Sequence, residues 1–228
     1  MQVRDIVRHA ATLFIEIVPE IEMPGHCVAA LAAYPQVSCT GEVRQVSHQW
    51  GVHEDVYCAG KEETFEFLGT VLNEVVALFP FKYIHFGADE VPKTRWARCP
   101  ACQARMRQEG LANESQLQTW FVSRVARWLA LAHNRTAMAW DEVLETGGSP
   151  HVDEVAVMSW RGTLGGILAT LCGKPVVMTP NTHCYLDYRQ LQRPGEPGAW
   201  YATLPLRTVF EFDPVPSNEE ADRAIERY

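Results

Sequence analysis

Apolar and polar positions along the chain switch between two periods. Residues 2–11 repeat apolar positions at helical spacing and predict a helix. Leu13-Phe14-Ile15-Glu16-Ile17-Val18 is an apolar run closed by Pro19, the pattern of a strand. A short helix is expected after Pro24-Gly25. Residues 34–60 follow neither period, and a loop of that length carrying His48, Trp50, His53 and Tyr57 is more often functional than a plain connection. Over 61–78, Phe65, Leu68, Leu72, Val75 and Val76 fall on one helical face. Phe81–Phe86 predicts a buried strand. Asn113 followed by Gln116 resembles a capping box, opening a helix with Leu117, Phe121, Val125, Trp128 and Leu129 on its apolar side. Further strands are expected near Arg135–Trp140, Glu154–Trp160 and Pro175–Thr179, between helical stretches punctuated by Gly162, Gly165, Gly166 and Gly173. Residues 180–200 read as a loop rich in Pro, Gly and aromatics, and 203–210 as a last helix.

Repeated strand–helix units predict an α/β fold: a parallel sheet with helices packed outside it. Periodicity alone does not separate a barrel from an open sheet. The strand ends favour a barrel. Glu20, Asp89-Glu90, Trp140-Asp141-Glu142, Trp160-Arg161 and Asn181 each stand where a strand stops. In a TIM barrel such ends converge on one mouth, where the active site forms. About five βα units are expected. No low-complexity segment or linker divides the chain, so 1–228 reads as one domain.

Composition narrows the class. With 47% hydrophobic and 21% charged residues the chain has ample material for a core. The net charge of −8, without a Lys/Arg cluster, disfavours nucleic acid and anionic membranes as partners. No apolar run is long enough to span a membrane. Residues 1–25 do not resemble a signal peptide, because Arg4, Asp5, Arg8 and His9 interrupt them. Of the seven cysteines, Cys99-Pro-Ala-Cys102 has zinc-ligand spacing. A structural zinc takes four ligands, however, and no second such pair exists. A loop-stapling disulfide or two free thiols is therefore expected there, with no metal. Cys39 and Cys58 flank another loop and could also pair.

Asp89 and Glu90 are the densest candidate chemistry. Side chains alternate along a strand, so two adjacent carboxylates cannot share a face within regular pleat. Just past the strand end the chain can turn and aim both at one substrate. Two close carboxylates tend to split their proton affinities, leaving one charged and one able to hold a proton, which is glycosidase equipment. The plainer reading is favourable negative charge at a helix N-terminus.

The motifs resemble family 20 glycoside hydrolases, the β-N-acetylhexosaminidases. The strings are Val18-Pro19-Glu20-Ile21-Glu22-Met23-Pro24-Gly25-His26 and His85-Phe86-Gly87-Ala88-Asp89-Glu90, followed by Trp140-Asp141-Glu142 and Ser159-Trp160-Arg161-Gly162. His183-Cys184-Tyr185-Leu186-Asp187-Tyr188 and Phe212-Asp213-Pro214-Val215-Pro216 complete the family order. The resemblance implies a (β/α)8 barrel and hydrolysis of terminal N-acetyl-β-hexosaminides with retention, without a cofactor. It implies that the substrate's own 2-acetamido oxygen attacks the anomeric carbon. Asp89 would then orient the acetamido N–H, and Glu90 would protonate the leaving oxygen and later deprotonate water. Trp140 and Trp160 would wall the sugar pocket, Tyr185 would hydrogen-bond the acetamido oxygen, Asp187 would bind sugar hydroxyls, and His26 would stand beside Glu90. His85 is expected inward beneath the site, in support. The implied partner is an N-acetylhexosamine-containing oligosaccharide or glycoconjugate.

The resemblance also implies missing parts. Five units are counted where the family barrel has eight, and the chain matches from the helix before the third strand. The family's sugar-gripping Arg, the Asp that pairs with the histidine matching His26, and the Trp-x-Glu motif of the eighth strand have no counterpart. A central fragment is therefore expected. It would self-associate through open barrel edges and turn over little by itself. Cellular location is left open among cytoplasmic, periplasmic and secreted. Two rival readings are a non-catalytic carbohydrate-binding remnant of the same fold, and a metal-dependent hydrolase with His26, His85, Asp89 and Glu90 as ligands.

Overall fold

A computed structural model describes residues 2–42, 45–145, 155–219 and 221–222. Two compact units divide the chain, 1–155 and 156–228.

The first unit opens with α1 (Gln2–Thr12). The strand predicted over Leu13–Val18 does not form. The chain turns at Phe14 (φ 58°), and the amides of Leu13 and Ile15 bond back to Ala10 at 2.9 and 3.0 Å. Those amides close α1 and are unavailable to a sheet, and Phe14 is 98% exposed. Strand-like pairing starts only at Pro19. There His85 N–Pro19 O, Ile21 N–His85 O and Met23 N–Phe86 O, each 2.9 Å, run the segment parallel to the predicted 81–86 strand.

The short helix expected after Pro24-Gly25 is α2 (Val28–Ala33). The described residues of 34–60 are irregular apart from a 3-10 turn at Pro35–Val37 and a Ser38–Tyr57 bridge. α3 (Glu62–Leu78) and α6 (Glu114–His133) follow their predicted periods. They bury Leu68 and Leu72, and Leu117, Phe121 and Leu129, each burial contributing about 1.5–3 kcal/mol. Asn113 Oδ1 caps α6 by accepting from Gln116 N at 3.0 Å, and Gln116 Oε1 accepts from Ala112 N at 2.8 Å, one residue upstream of the usual box.

Between β1 (Tyr83–His85) and α6 lie two helices that periodicity did not predict, α4 (Thr94–Arg98) and α5 (Pro100–Glu109). α5 buries only Cys102 and Met106, too few for an apolar period, and is framed by Pro100 in its first turn and by Gly110 in the left-handed conformation. Glu62 pairs with both Arg105 and Arg124, tying α3 to α5 and α6. The hydrogen bond from Arg124 leads in holding that carboxyl down, to about 2. β1 pairs in parallel with β2 (Thr136–Trp140), Ile84 opposite Ala137.

In the second unit, which holds all of β3 (Val155–Ser159) but its first residue, that strand pairs in parallel with β4 (Val176–Met178) through the crossover helix α7 (Leu164–Leu171). Glu154, where the sequence starts this strand, lies outside the described residues. Ser159 Oγ donates to Gly162 O at 2.8 Å and accepts from Gly166 N at 2.9 Å, fixing the strand-to-helix turn. The predicted 180–200 loop contains α8 (Asn181–Cys184) and β5 (Tyr188–Arg189), which pairs with β6 (Ala199–Thr203) before α9 (Leu206–Phe210).

No two of the seven cysteines are bonded. The disulfides considered for Cys99 with Cys102 and for Cys39 with Cys58 are therefore not formed. Among the described residues no helix is long and apolar enough to cross a membrane.

Candidate active site

β1 ends at His85, and four residues later the chain presents its two carboxylates. The turn that aims them is written in the backbone. Gly87, Ala88 and Glu90 all have positive φ, at 66°, 68° and 47°. Left-handed non-glycine residues are uncommon and cluster at functional sites. This run breaks the strand's alternation, so Asp89 and Glu90 reach one imidazole. His26 Nε2, itself at φ 49°, lies 3.5 Å from Asp89 Oδ2 and 3.3 Å from Glu90 Oε2. The turn is held from α6: Gln118 Nε2 donates to Ala88 O at 2.8 Å, while Lys93 Nζ donates to Gln118 Oε1 and to Val91 O.

The two carboxylates sit differently. The Asp89 side chain is 18% exposed and that of Glu90 41%. Asp89 Oδ1 is buried and has no hydrogen-bond partner among the described residues. Burial raises the Asp89 pKa above the ordinary aspartate range, with the Glu20 and Glu90 charges adding to it, while the charge of His26 pulls it down. The expected division had Asp89 as the charged member. In this arrangement Asp89 is short of a donor, and an N–H delivered to Oδ1 would favour its charged form.

Glu20 and Glu22 form a second pair of acids, of which the sequence marks Glu20 as a strand end and assigns Glu22 no role. Glu20 Oε1 accepts from Trp140 Nε1 at 2.9 Å and lies 3.2 Å from His85 Nδ1. The same Nδ1 is 3.0 Å from the Gly87 amide nitrogen, so it donates to Glu20 when protonated and accepts from Gly87 when not. The His85 and Trp140 rings meet edge-on, centroids 4.9 Å apart. The hydrogen bond to His85 is the leading cause that lowers the Glu20 pKa. Glu22 goes the other way, pushed up to about 9 by burial first and then by the charges of Asp89 and Glu20. It is therefore a protonated acid at neutral pH, able to donate to Glu20. Gly87 makes room for it: a Cβ there would sit 1.9 Å from Glu22 Oε2. The signal for this pair was Glu20-x-Glu22 in an extended segment, since alternate residues share a face.

The structure thus brings together His26, Asp89 and Glu90, with Trp140 held beside His85 through Glu20. His85 itself does not join the carboxylate pair. Of the four ligands in the metal-hydrolase reading, only His26, Asp89 and Glu90 offer atoms within 4.8 Å of one another. In the second unit Trp160 and Tyr185 stack with ring centroids 6.2 Å apart and 20° between planes. Asp187 is exposed and its carbonyl accepts from Ala199 N at 2.7 Å.

Comparison with known proteins agrees with these strings. The chain is 46% identical over 97% of its length to a β-hexosaminidase of Porphyromonas gingivalis, and 30% identical over 97% to one of Vibrio furnissii. It covers 28% and 36% of those two proteins, so it spans about a third of the length of these relatives. The crystal structure of a β-N-acetylhexosaminidase from Bacteroides fragilis superposes on 93% of the chain with a TM-score of 0.80 and 35% identity, the chain covering 42% of it. An exo-β-N-acetylglucosaminidase from Vibrio harveyi, in complex with N-acetylglucosamine, superposes on 97% at a TM-score of 0.81 and 32% identity, with 35% of it covered. The α/β fold is that of the family's TIM-barrel catalytic domain, of which the chain holds a part. Residues 1–227 match the model of the glycosyl hydrolase family 20 catalytic domain, and the chain belongs to that family.

Proposed function

We propose that this stretch supplies the acid/base pair and acetamido site of an enzyme that hydrolyses terminal N-acetyl-β-hexosaminides with retention. The observation that carries the reading is Asp89 Oδ1, buried and unpartnered among the described residues, beside Glu90 and His26. A 2-acetamido N–H is the donor it lacks. With Asp89 holding that N–H, the acetamido oxygen attacks the anomeric carbon. The glycosidic C–O bond breaks as Glu90 gives its proton to the leaving oxygen. The positive charge that develops on the acetamido group lies against Asp89. Water then attacks the same carbon, Glu90 takes its proton, and the oxazoline ring reopens. Trp140, fixed through Glu20, offers an aromatic face to the apolar side of the sugar. In residues 156–228 the motif strings support Trp160 as a wall of the sugar pocket, Tyr185 as donor to the acetamido oxygen and Asp187 as a partner of sugar hydroxyls.

The substrate class is a glycoconjugate or oligosaccharide ending in N-acetylhexosamine, a reading supported by the N-acetylglucosamine complex of the Vibrio harveyi protein. The chain is read as one continuous part of a single barrel. Exposed Leu13, Phe14 and Ile15 support self-association when it stands alone. By itself it should turn over little, because positioning of the sugar supplies much of the rate in such sites.

The test is an aryl N-acetyl-β-glucosaminide assay on residues 1–228 and on a longer chain carrying the remaining barrel units, with a thiazoline analogue of the intermediate as inhibitor. Turnover and tight thiazoline inhibition are expected of the longer chain. A covalent glycosyl adduct on a side-chain carboxylate would contradict substrate assistance. A longer chain that binds the sugar without turnover would favour the carbohydrate-binding remnant.

A further inference from the structure

Four cysteines outside the acid/base site converge in residues 1–155. Cys39 and Cys58 come from the long 34–60 loop, and Cys99 and Cys102 from the entry to α5. Cys58, Cys99 and Cys102 are buried and Cys39 is half-buried. Their Sγ atoms all lie within 4.8 Å of one another. Cys58 is 3.6 Å from Cys102 and 3.8 Å from Cys99, and Cys39 is 3.9 Å from Cys102.

These separations are those of a tetrahedron rather than of two pairs. Thiolates about 2.3 Å from a central zinc stand about 3.8 Å from one another along the edges. A cluster of several irons would spread its four sulfurs more widely, and hard cations take oxygen ligands. We propose that Cys39, Cys58, Cys99 and Cys102 bind a single zinc ion in a closed structural site.

The surrounding backbone is arranged for such an ion. Cys58 N donates to Val37 O at 2.9 Å, and Lys61 Nζ donates to Gln36 O at 2.8 Å and to Ser38 O at 2.7 Å, so both loop cysteines are fixed from one side. The loop passes so close to α5 that a Cβ at Gly60 would sit 2.2 Å from Ala101 C. Trp96 Nε1 donates to Tyr57 O at 2.9 Å on the same face. Cys99 stands at the N-cap of the ten-residue α5 and Cys102 lies in its first turn, so one helix start presents two of the four ligands. Four thiolates fill the tetrahedron, which leaves no position for substrate, so the ion is a brace. Its reach is short: Tyr57, next to Cys58, donates its amide to Pro24 O at 3.0 Å, two residues before His26. The site therefore clamps the loop that supports the His26 turn to the α4–α5 joint.

The test is elemental analysis of the 228-residue chain purified with reductant and without chelator. About one zinc per chain is expected in a colourless protein. Cys58→Ser and Cys102→Ser should retain less than roughly a tenth of that, whereas Cys172→Ser, an exposed thiol away from the cluster, should keep it. Should the cluster variants fail to fold, the unmodified chain still decides. A mercurial titration should release zinc in step with reaction of the cluster thiols, and cobalt exchange should give the strong visible absorption of a tetrahedral thiolate site. Iron in place of zinc, a chain that carries no metal and takes up no cobalt, or peptide maps showing disulfides among these four would overturn the proposal.

Discussion

Replacing Glu22 with Gln should flatten part of the protein's pH dependence of stability. Glu22 ionises near 4.5 in an unfolded chain and is pushed up to about 9 in the fold, by burial first and then by the charges of Asp89 and Glu20. The native state therefore keeps a proton that the unfolded state releases. The associated stability is full below pH 4.5 and is lost as pH rises toward 9. One proton amounts to about 1.4 kcal/mol per pH unit, or about 4 kcal/mol between pH 5 and 8. The carboxyl is only partly buried, and solvent screening cuts this to about 1–2 kcal/mol. The amide of Glu22→Gln donates to Glu20 as the protonated acid does, and it does not ionise. Urea unfolding followed by tryptophan fluorescence at pH 5 and pH 8 measures the difference. The variant and the wild type should be close at pH 5, with the variant ahead by about 1–2 kcal/mol at pH 8. A stability difference that does not change with pH, or that favours the wild type at pH 8, would refute a protonated Glu22.

Gly87→Ala combines a left-handed residue, costing about 1–2 kcal/mol, with a Cβ 1.9 Å from Glu22 Oε2. A loss of at least about 2 kcal/mol should lower the melting temperature by about 4–8 °C, and an unchanged melting curve would contradict the packing described here. His26→Asn removes the charge that holds Asp89 down. In a chain carrying the whole barrel the acid limb of kcat/KM should therefore move to higher pH, and a shift to lower pH would oppose that sign. Trp140→Phe deletes the 2.9 Å bond to Glu20 Oε1 while keeping an aromatic face. It should raise KM more than it lowers kcat, and an equal fall in kcat alone would argue against a wall role.

The helices α3 and α6 are legible because their buried positions recur at helical spacing over about three turns. α4 and α5 are not, since their burial comes from Trp96, Cys102 and Met106 packed by tertiary contacts. The apolar run at Leu13–Val18 has strand composition, yet the amides of Leu13, Phe14 and Ile15 are spent on closing α1, which no local pattern reveals. Asp89 and Glu90 stood out as a pair at a strand end, and the positive φ values explain how adjacent residues share one target. Glu20 is visible only as a strand end and Glu22 only as part of a motif, because the groups that split them, His85 and Asp89, lie more than sixty residues away. The four-cysteine cluster was hidden for the same reason. Its halves are separated by forty residues, and CxxC spacing exposes only one of them.

The most direct measurement of the Asp89/Glu90 division of labour compares Glu90→Gln and Asp89→Asn, in a chain carrying the remaining barrel units, on aryl glycosides of good and poor leaving groups. Glu90→Gln removes the transferable proton. It should cost roughly 10²–10⁴-fold with a poor leaving group and much less with an activated one. Asp89→Asn acts on the acetamido nucleophile and should slow both alike. Losses that are equal for the two variants across leaving groups, or a leaving-group dependence that follows Asp89, would contradict the account.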